Sequence, residues 1–391
     1  MGHQEREYES VAMRISRRRL IRRLGAGAAV AAGAPEAIAR AWSLGPDGSG
    51  GIEKRVRLDK NESAYGPSAK AVDAARAAAD HLLSRYPGDE PERLQEQIAA
   101  SHGVQSSQVV LGCGSSEILR MAADAFLGPG KTLVLAVPTF DLIERFARLT
   151  GAEVVAVPLA GDHSHDVERI AAKFDASTAL VYVCNPNSPT GTLTSRAALE
   201  SLIRKLPAAA HLIVDEAYHH YAVDSSAYVS FIDRPVEHER VIVTRTFSTV
   251  HGLAALRVGY ALASAPAVQR LAERKLVNGV SLVGAAAALA ALDDREHVRS
   301  SVLQTGNDRQ AFVNQASARM LRWLDSRANF VLVDFNRPAA DVVGHFAKHD
   351  VAIAGPFPYF AKHARVGLGT REEMREFWRV CDLLPPASMR M

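Results

Sequence analysis

Seven short apolar runs, Gln108 to Gly112, Thr132 to Pro138, Glu153 to Pro158, Ala179 to Asn185, His211 to Asp215, Arg240 to Thr246 and Arg257 to Ala263, alternate with stretches of helical periodicity. Strands joined by helical crossovers pair side by side and carry helices on both faces, so the alternation predicts an α/β fold with a mostly parallel sheet. Ligands of such sheets gather at the carboxyl ends of the strands, and polar residues at those ends are therefore the informative ones. From about Val302 the pattern changes to a long helical segment, a strand at Asn329 to Asp334, a helix near Ala339 to Lys348 and short strands around Val351 and Arg365. That predicts a second, smaller α+β unit. The expected division is a leading segment 1–41, a linker and arm 42–75, a large domain 76–301 and a small domain 302–391.

Charge separates the leading segment from the rest. The whole chain of 391 residues has 46 Lys+Arg against 43 Asp+Glu, a net charge of +3. Residues 1–41 hold eight Arg and four Glu, which leaves 38 basic and 39 acidic residues for 42–391. No basic patch interleaved with aromatics appears in the body of the chain, so nothing points to a nucleic-acid partner. No apolar run reaches the roughly 18 residues that span a bilayer. Cys113, Cys184 and Cys381 are far apart and lack metal-ligand spacing, which makes them small buried residues and gives no expectation of a metal.

The basic excess lies in Ser16-Arg17-Arg18-Arg19-Leu20-Ile21-Arg22-Arg23, followed by a short, weakly apolar stretch rich in Gly and Ala and by Ala39-Arg40-Ala41 before Trp42. This resembles a twin-arginine signal, with Met13 the better start, and implies export to the periplasm through residues 16–41. A basic amphipathic helix on a surface is the alternative; Gly25, Gly27 and Gly33 argue against it because they weaken a helix. Residues 42–54 are Gly-rich and polar, as in a linker.

Four motifs stand at strand ends. Gly112-Cys113-Gly114-Ser115-Ser116-Glu117 opens a helix, whose N-terminal N–H groups and positive dipole end suit an anion. Asn185-Pro186-Asn187-Ser188-Pro189-Thr190-Gly191 follows the fourth apolar run, and Asp215-Glu216-Ala217-Tyr218 closes the fifth. A carboxylate at the end of a buried strand is costly unless paired, and a cationic pyridinium nitrogen would pair it. Finally, Ser248 and Arg257 bracket Thr249-Val250-His251-Gly252-Leu253-Ala254-Ala255-Leu256, a hydroxyl and a guanidinium suited to phosphate.

In this order and spacing the motifs resemble the class I/II aminotransferases of the pyridoxal-phosphate fold type I superfamily, closest to the histidinol-phosphate aminotransferase branch, from about Leu58 to Phe377. Leu58-Asp59-Lys60-Asn61-Glu62, Gly66-Pro67, Arg85-Tyr86-Pro87, Pro138-Thr139-Phe140 and Arg365-Val366-Gly367 fit the same family. The resemblance implies a seven-stranded, mostly parallel sheet and pyridoxal or pyridoxamine 5′-phosphate as cofactor. It implies that Asp215 holds the pyridine nitrogen, that Tyr218 and Asn187 hydrogen-bond the ring oxygen, and that Phe140 stacks on the ring. It further implies that the N–H groups of Gly114, Ser115 and Ser116, with Ser248 and Arg257, hold the phosphate. Tyr86 would reach that phosphate from the neighbouring subunit of a homodimer, and Arg365 and Asn61 would meet an amino-acid-like substrate.

One departure outweighs these matches. The family has Ser-Lys-x-x-Gly-Leu at the fourth motif, and this chain has Ser248-Thr249-Val250-His251-Gly252-Leu253. Thr249 stands at the position of the Schiff-base lysine. A threonine hydroxyl forms no imine and is no base at neutral pH, so the covalent anchor and the proton carrier are both missing. His251 reads as a pocket-wall residue, and Lys60 as a solvated lysine next to the site. A second departure is Gly355, where relatives often have arginine. Three readings follow: an exported aminotransferase-like enzyme that binds its cofactor noncovalently and works without that lysine, a catalytically silent homologue that binds or carries the cofactor, and an ordinary aminotransferase.

Overall fold

The computed structural model describes residues 55–232 and 239–385. The basic segment 16–41 and the linker 42–54, with the expectations attached to them, lie outside the described residues. The described chain enters through a short strand, β1 (Val56–Leu58), and two helices, α1 (Ala69–Leu82) and α2 (Glu90–His102). Then strands and helices alternate: β2 (Val109–Cys113), α3 (Gly114–Phe126), β3 (Thr132–Val137), α4 (Leu142–Leu149), β4 (Glu153–Pro158), α5 (Val167–Ala171), β5 (Thr178–Cys184), α6 (Arg196–Lys205), β6 (His211–Asp215), β7 (Val241–Thr246), β8 (Val258–Leu262) and α7 (Ala265–Ala272).

All seven strands from β2 to β8 join one sheet, in the order β2-β8-β7-β6-β5-β3-β4. Each lies within a residue of the apolar run that predicted it. Burial follows position: every residue of β5, in the middle, is buried, whereas edge strand β4 is mostly exposed or half-buried. Alternate residues feed the two faces. Val181, Val183, Leu212 and Val214 point into one core, and Leu180, Tyr182, Ile213 and Ile242 into the other. The single antiparallel strand is β8, which runs against both β2 and β7. Its link from β7 covers only residues 247–257, too short for the dozen or more residues a parallel crossover needs. Reversal places the start of β8, and Arg257 before it, at the edge where β2, β5, β6 and β7 end.

Helix α8 (Leu282–Asp293), rich in alanine and capped by the Ser281 hydroxyl, packs closely on α1. Helix α9 (Arg295–Ala318) is longer than the pattern suggested and runs through position 302. Its first turns, Arg295-Glu296-His297-Val298-Arg299-Ser300-Ser301, carry no apolar stripe to announce them. Beyond it, β9 (Arg322–Trp323), β10 (Phe330–Asp334), α10 (Ala339–Ala347), β11 (Val351–Ile353), β12 (His363–Gly367) and α11 (Arg371–Asp382) follow. Strands β12, β10 and β9 form an antiparallel sheet, and α11 is closed by a reciprocal Thr370–Glu373 capping box. A separate apolar cluster, with Phe312, Val331, Phe346 and Phe377, fills this part, and it includes Leu58 from β1, which pairs in parallel with β11. Within the arm, Val56–Leu58 is therefore a strand and Leu58 part of that core.

No helix of the described residues is long and apolar enough to cross a membrane. Among them there is also no group of three or more His, Cys, Asp or Glu that could hold a metal ion.

Candidate functional site

The carboxyl ends of β2, β5, β6 and β7 converge on one cavity. Ser115, Ser116, Phe140, Asp215, Tyr218, Ser248, Thr249 and Arg257 line it, together with Asn61 and Lys60 from the arm. Sequence motifs separated by some two hundred residues thus meet in one place.

At one end stands Asp215, the last residue of β6 and 2% exposed. Its carboxylate accepts the Tyr182 hydroxyl at 2.9 Å and the Ala217 N–H at 3.1 Å. Burial nevertheless dominates and pushes its pKa above the ordinary carboxylate range, with Glu216 next door adding in the same direction. A carboxyl held this way favours a cationic partner in the cavity. Tyr182 gave no signal in the sequence beyond its place in an apolar run; only the β5–β6 pairing brings it beside Asp215.

At the other end a helix N-terminus, a hydroxyl and a guanidinium come together. Gly114 opens α3 at φ +71°, and Arg257 precedes β8 at φ +55°, both in the left-handed region. A Cβ on Gly114 would stand 2.2 Å from Arg257 Nη2, so only glycine admits the guanidinium there. Arg257 Nη1 donates to Ser248 Oγ at 3.1 Å and to the Ala254 carbonyl at 2.9 Å. The Gly114 N–H, expected to face the anion, donates instead to the Arg257 carbonyl oxygen at 3.0 Å. That leaves Ser115 and Ser116, whose N–H groups have no acceptor in the first turn of a helix, to face the cavity. Gly259 keeps β8 close to this turn, for a Cβ there would meet the Ser115 nitrogen at 2.2 Å.

The walls are mixed. Phe140 is half-buried against the sheet core, and Tyr218 sits edge-on to Phe330 with ring centroids 5.1 Å apart. Asn61, at φ +56°, donates through Nδ2 to the Tyr218 hydroxyl at 2.9 Å, and its Oδ1 is buried with no partner. Asn187 does not take the role expected of it. Its amide is fully buried and spent inside the fold, donating to the Pro138 carbonyl at 3.1 Å and to Thr190 Oγ1 at 2.9 Å while accepting from Thr139 Oγ1 at 2.7 Å. A buried amide satisfied on all sides keeps its loop in shape.

Arg365, on β12 of the smaller sheet, is not itself a lining residue and stands behind Ser188, which is. Its Nη1 donates to Ser188 Oγ at 3.0 Å and its Nη2 to the Asp59 carbonyl at 2.7 Å, and its buried Nε has no partner. Burial lowers its pKa, against the raising effect of Tyr218 and Asp59. Gly355 lies on the same edge, beside Ala354, which bridges to Arg365. Tyr86 is 84% exposed and takes no part in the cavity of its own chain.

Thr249 is 7% exposed and lines the cavity, with its hydroxyl donating to the Ala217 carbonyl at 2.9 Å. His251 is not among the residues that line the cavity and packs on Phe247 and His220 with ring centroids 4.8 Å and 5.4 Å away. Burial brings its pKa down to about 4, with His297 and Arg245 adding to the effect. Lys60 is exposed at the rim and is the one amine among the residues lining the cavity.

A seven-stranded mixed sheet with a helix N-terminus and a buried carboxylate at its strand ends is the architecture of the fold type I transferases. Over residues 53–380 the chain matches the family "Aminotransferase class I and II", and it belongs to that family. It is similar to the histidinol-phosphate aminotransferase of Geobacillus sp. (strain WCH70), 33% identical over 324 residues that cover 83% of this chain and 88% of that one. With the histidinol-phosphate aminotransferase of Symbiobacterium thermophilum the identity is 36% over 333 residues, 84% of this chain and 90% of the other. A solved structure of histidinol-phosphate aminotransferase from Sinorhizobium meliloti in complex with pyridoxal-5′-phosphate superposes with a TM-score of 0.78 at 27% identity, covering 85% of this chain and 90% of that chain.

Proposed function

We propose that this protein binds pyridoxal or pyridoxamine 5′-phosphate noncovalently and acts on an amino acid or amino compound by a route that does not use a lysine at position 249. The observation that carries the reading is Thr249 itself: a hydroxyl bonded to the Ala217 carbonyl, in a cavity whose two ends remain equipped for a cationic ring and an anion. The residues at the two ends fit the cofactor, and an amine at position 249 is missing. Ser115, Ser116, Ser248 and Arg257 match a phosphate, and Asp215 matches a protonated ring nitrogen; without such a partner that buried carboxylate is an unexplained cost.

When bound, the cofactor supplies an electron-withdrawing ring that stabilises negative charge at the substrate α-carbon. The chain does the rest. Asp215 keeps the ring nitrogen protonated, with Tyr182 fixing the carboxylate. Phe140 bounds one face of the slot, and Tyr218, steadied by Asn61, offers a hydroxyl to it. Arg365, its guanidinium against Phe330 and Phe357, is the cation for a substrate carboxylate, and Asn61 meets the same amino-acid-like substrate from the cavity wall. The Thr249 hydroxyl orients the turn after β7 and moves no proton. The absence of any amine but Lys60 along the cavity equally favours a second reading, a silent homologue that binds or carries the cofactor.

The proposal extends to a homodimer in which the exposed Tyr86 serves the partner's phosphate site, and to twin-arginine export of the folded protein to the periplasm through residues 16–41. Histidinol phosphate, the substrate named for the relatives, is the reading for an ordinary aminotransferase. The discriminating experiment is spectroscopic. Protein isolated from the exporting cell should absorb as a pyridoxal or pyridoxamine form, lose the absorbance on dialysis and resist labelling by borohydride. A borohydride-stable cofactor adduct would overturn the lysine-free route, and protein that takes up neither form would overturn the cofactor assignment. Turnover of an amino donor separates the enzyme from the silent carrier.

A further inference from the structure

Glu117 is buried, 5% exposed, in the first turn of α3, and it has no place in the site described so far. Its Oε2 accepts the Cys113 N–H at 2.5 Å, the residue just before the helix. Its Oε1 accepts the Leu276 N–H at 2.7 Å, from the loop after α7. One turn on, Arg120 donates to Glu117 Oε1 at 3.4 Å and to the Arg274 carbonyl of the same loop at 2.8 Å. Gly279 closes the loop over the carboxylate: a Cβ there would stand 3.0 Å from Glu117 Oε2.

These bonds decide which N–H groups the helix terminus presents. Cys113 is taken by Glu117 and Gly114 by the Arg257 carbonyl, so the first-turn N–H groups left over are those of Ser115 and Ser116, both residues that line the cavity. A carboxylate oxygen placed four residues on pulls the entering backbone into that arrangement and holds it. We propose that Glu117 is a positioning residue for the anion site: it sets the Cys113–Ser116 turn to receive the phosphate and ties that turn to the loop 274–279. The inference rests on the cofactor reading above.

The test compares pyridoxamine 5′-phosphate with pyridoxamine, which differ by the phosphate alone and carry no aldehyde to react with surface amines. Affinities of both are measured for the full chain, wild type and Glu117→Gln. The amide presents N–H where the carboxylate accepted one, so either Cys113 or Leu276 loses its acceptor. The phosphate ester should bind about tenfold more weakly to Glu117→Gln while pyridoxamine binding stays within about twofold. Gly279→Ala, which keeps the carboxylate but crowds it, should shift the same ratio by a smaller factor and serves if Glu117→Gln does not fold. Equal losses for both ligands, or no change in their ratio in either variant, would assign Glu117 a general structural role and overturn the proposal. Wild-type protein that binds neither ligand would overturn the cofactor reading and this inference with it.

Discussion

The Thr249 hydroxyl donates to the carbonyl of Ala217 across 2.9 Å, tying the turn after β7 to the turn after β6 in the cavity wall. Thr249→Lys removes this bond at a cost of about 1 kcal/mol and places an amine in the cavity. With pyridoxal 5′-phosphate the variant should give a borohydride-fixed mass increase on the introduced amine, and a transaminase half-reaction faster than wild type by about 10² to 10⁴. A variant that stays colourless with cofactor present would mean that the cavity is misassigned.

Gly114→Ala should be far more damaging than Gly66→Ala. Both glycines have positive φ, but an added Cβ meets nothing within 4 Å at Gly66 and meets Arg257 Nη2 at 2.2 Å at Gly114. Gly66→Ala should cost about 1 kcal/mol in urea unfolding, the backbone strain alone. Gly114→Ala should cost about 3 kcal/mol and displace Arg257, lowering phosphate-ester affinity at least about tenfold.

Asp215→Asn should separate stability from binding. The folded-state pKa of Asp215 is raised, so its ionised form is disfavoured by folding: the proton it binds stabilises the fold at low pH, and that contribution is lost as pH rises from 3.8 through the raised value. At neutral pH the ion is a burden on the empty protein. Asparagine keeps the volume, and the Tyr182 hydroxyl can turn to accept from it. The variant should be more stable than wild type without ligand at pH 7, yet bind the cofactor more weakly. Chemical denaturation with and without cofactor reads both effects; a loss of stability in the ligand-free variant would contradict this account.

Buried histidines make the fold acid-sensitive. His251 is lowered from 6.5 to about 4 and His219 to about 2, in each case mainly by burial. A histidine folded in its neutral form gives stability that is present above 6.5 and lost as pH falls towards the folded-state value, because the unfolded chain takes up the proton first. Between pH 6.5 and 4 His251 accounts for roughly 3 kcal/mol, at about 1.4 kcal/mol per pKa unit. His251→Gln should flatten the pH dependence of the urea midpoint over that window, and an unchanged slope would show that the ring is protonated in the fold.

What the sequence disclosed followed from periodicity and from interruptions of it. The β5 and β6 runs were legible because central strands are apolar throughout, and Asp215 because a carboxylate closes such a run. The direction of β8 was not legible, since strand alternation is the same in either direction and only the short 247–257 link decides it. Asn187 looked like a ligand residue because its motif stands at a strand end, but Pro138, Thr139 and Thr190 compete for the amide and win. The Glu216–Arg245 pair, joined at 3.0 Å and closed by Ser230, was equally hidden, because charges 29 residues apart become neighbours only through the β6–β7 pairing.

The rim of the cavity also orders the life of the chain. Asn329 Nδ2 holds the Asn61 carbonyl at 2.9 Å, and Arg365 holds that of Asp59 at 2.7 Å, partners 268 and 306 residues apart. The arm is made first and locked last, so a nascent chain on the ribosome has no finished rim until nearly all of it has been translated. Whatever the cavity is to hold meets a finished rim only once the chain beyond Arg365 has been made.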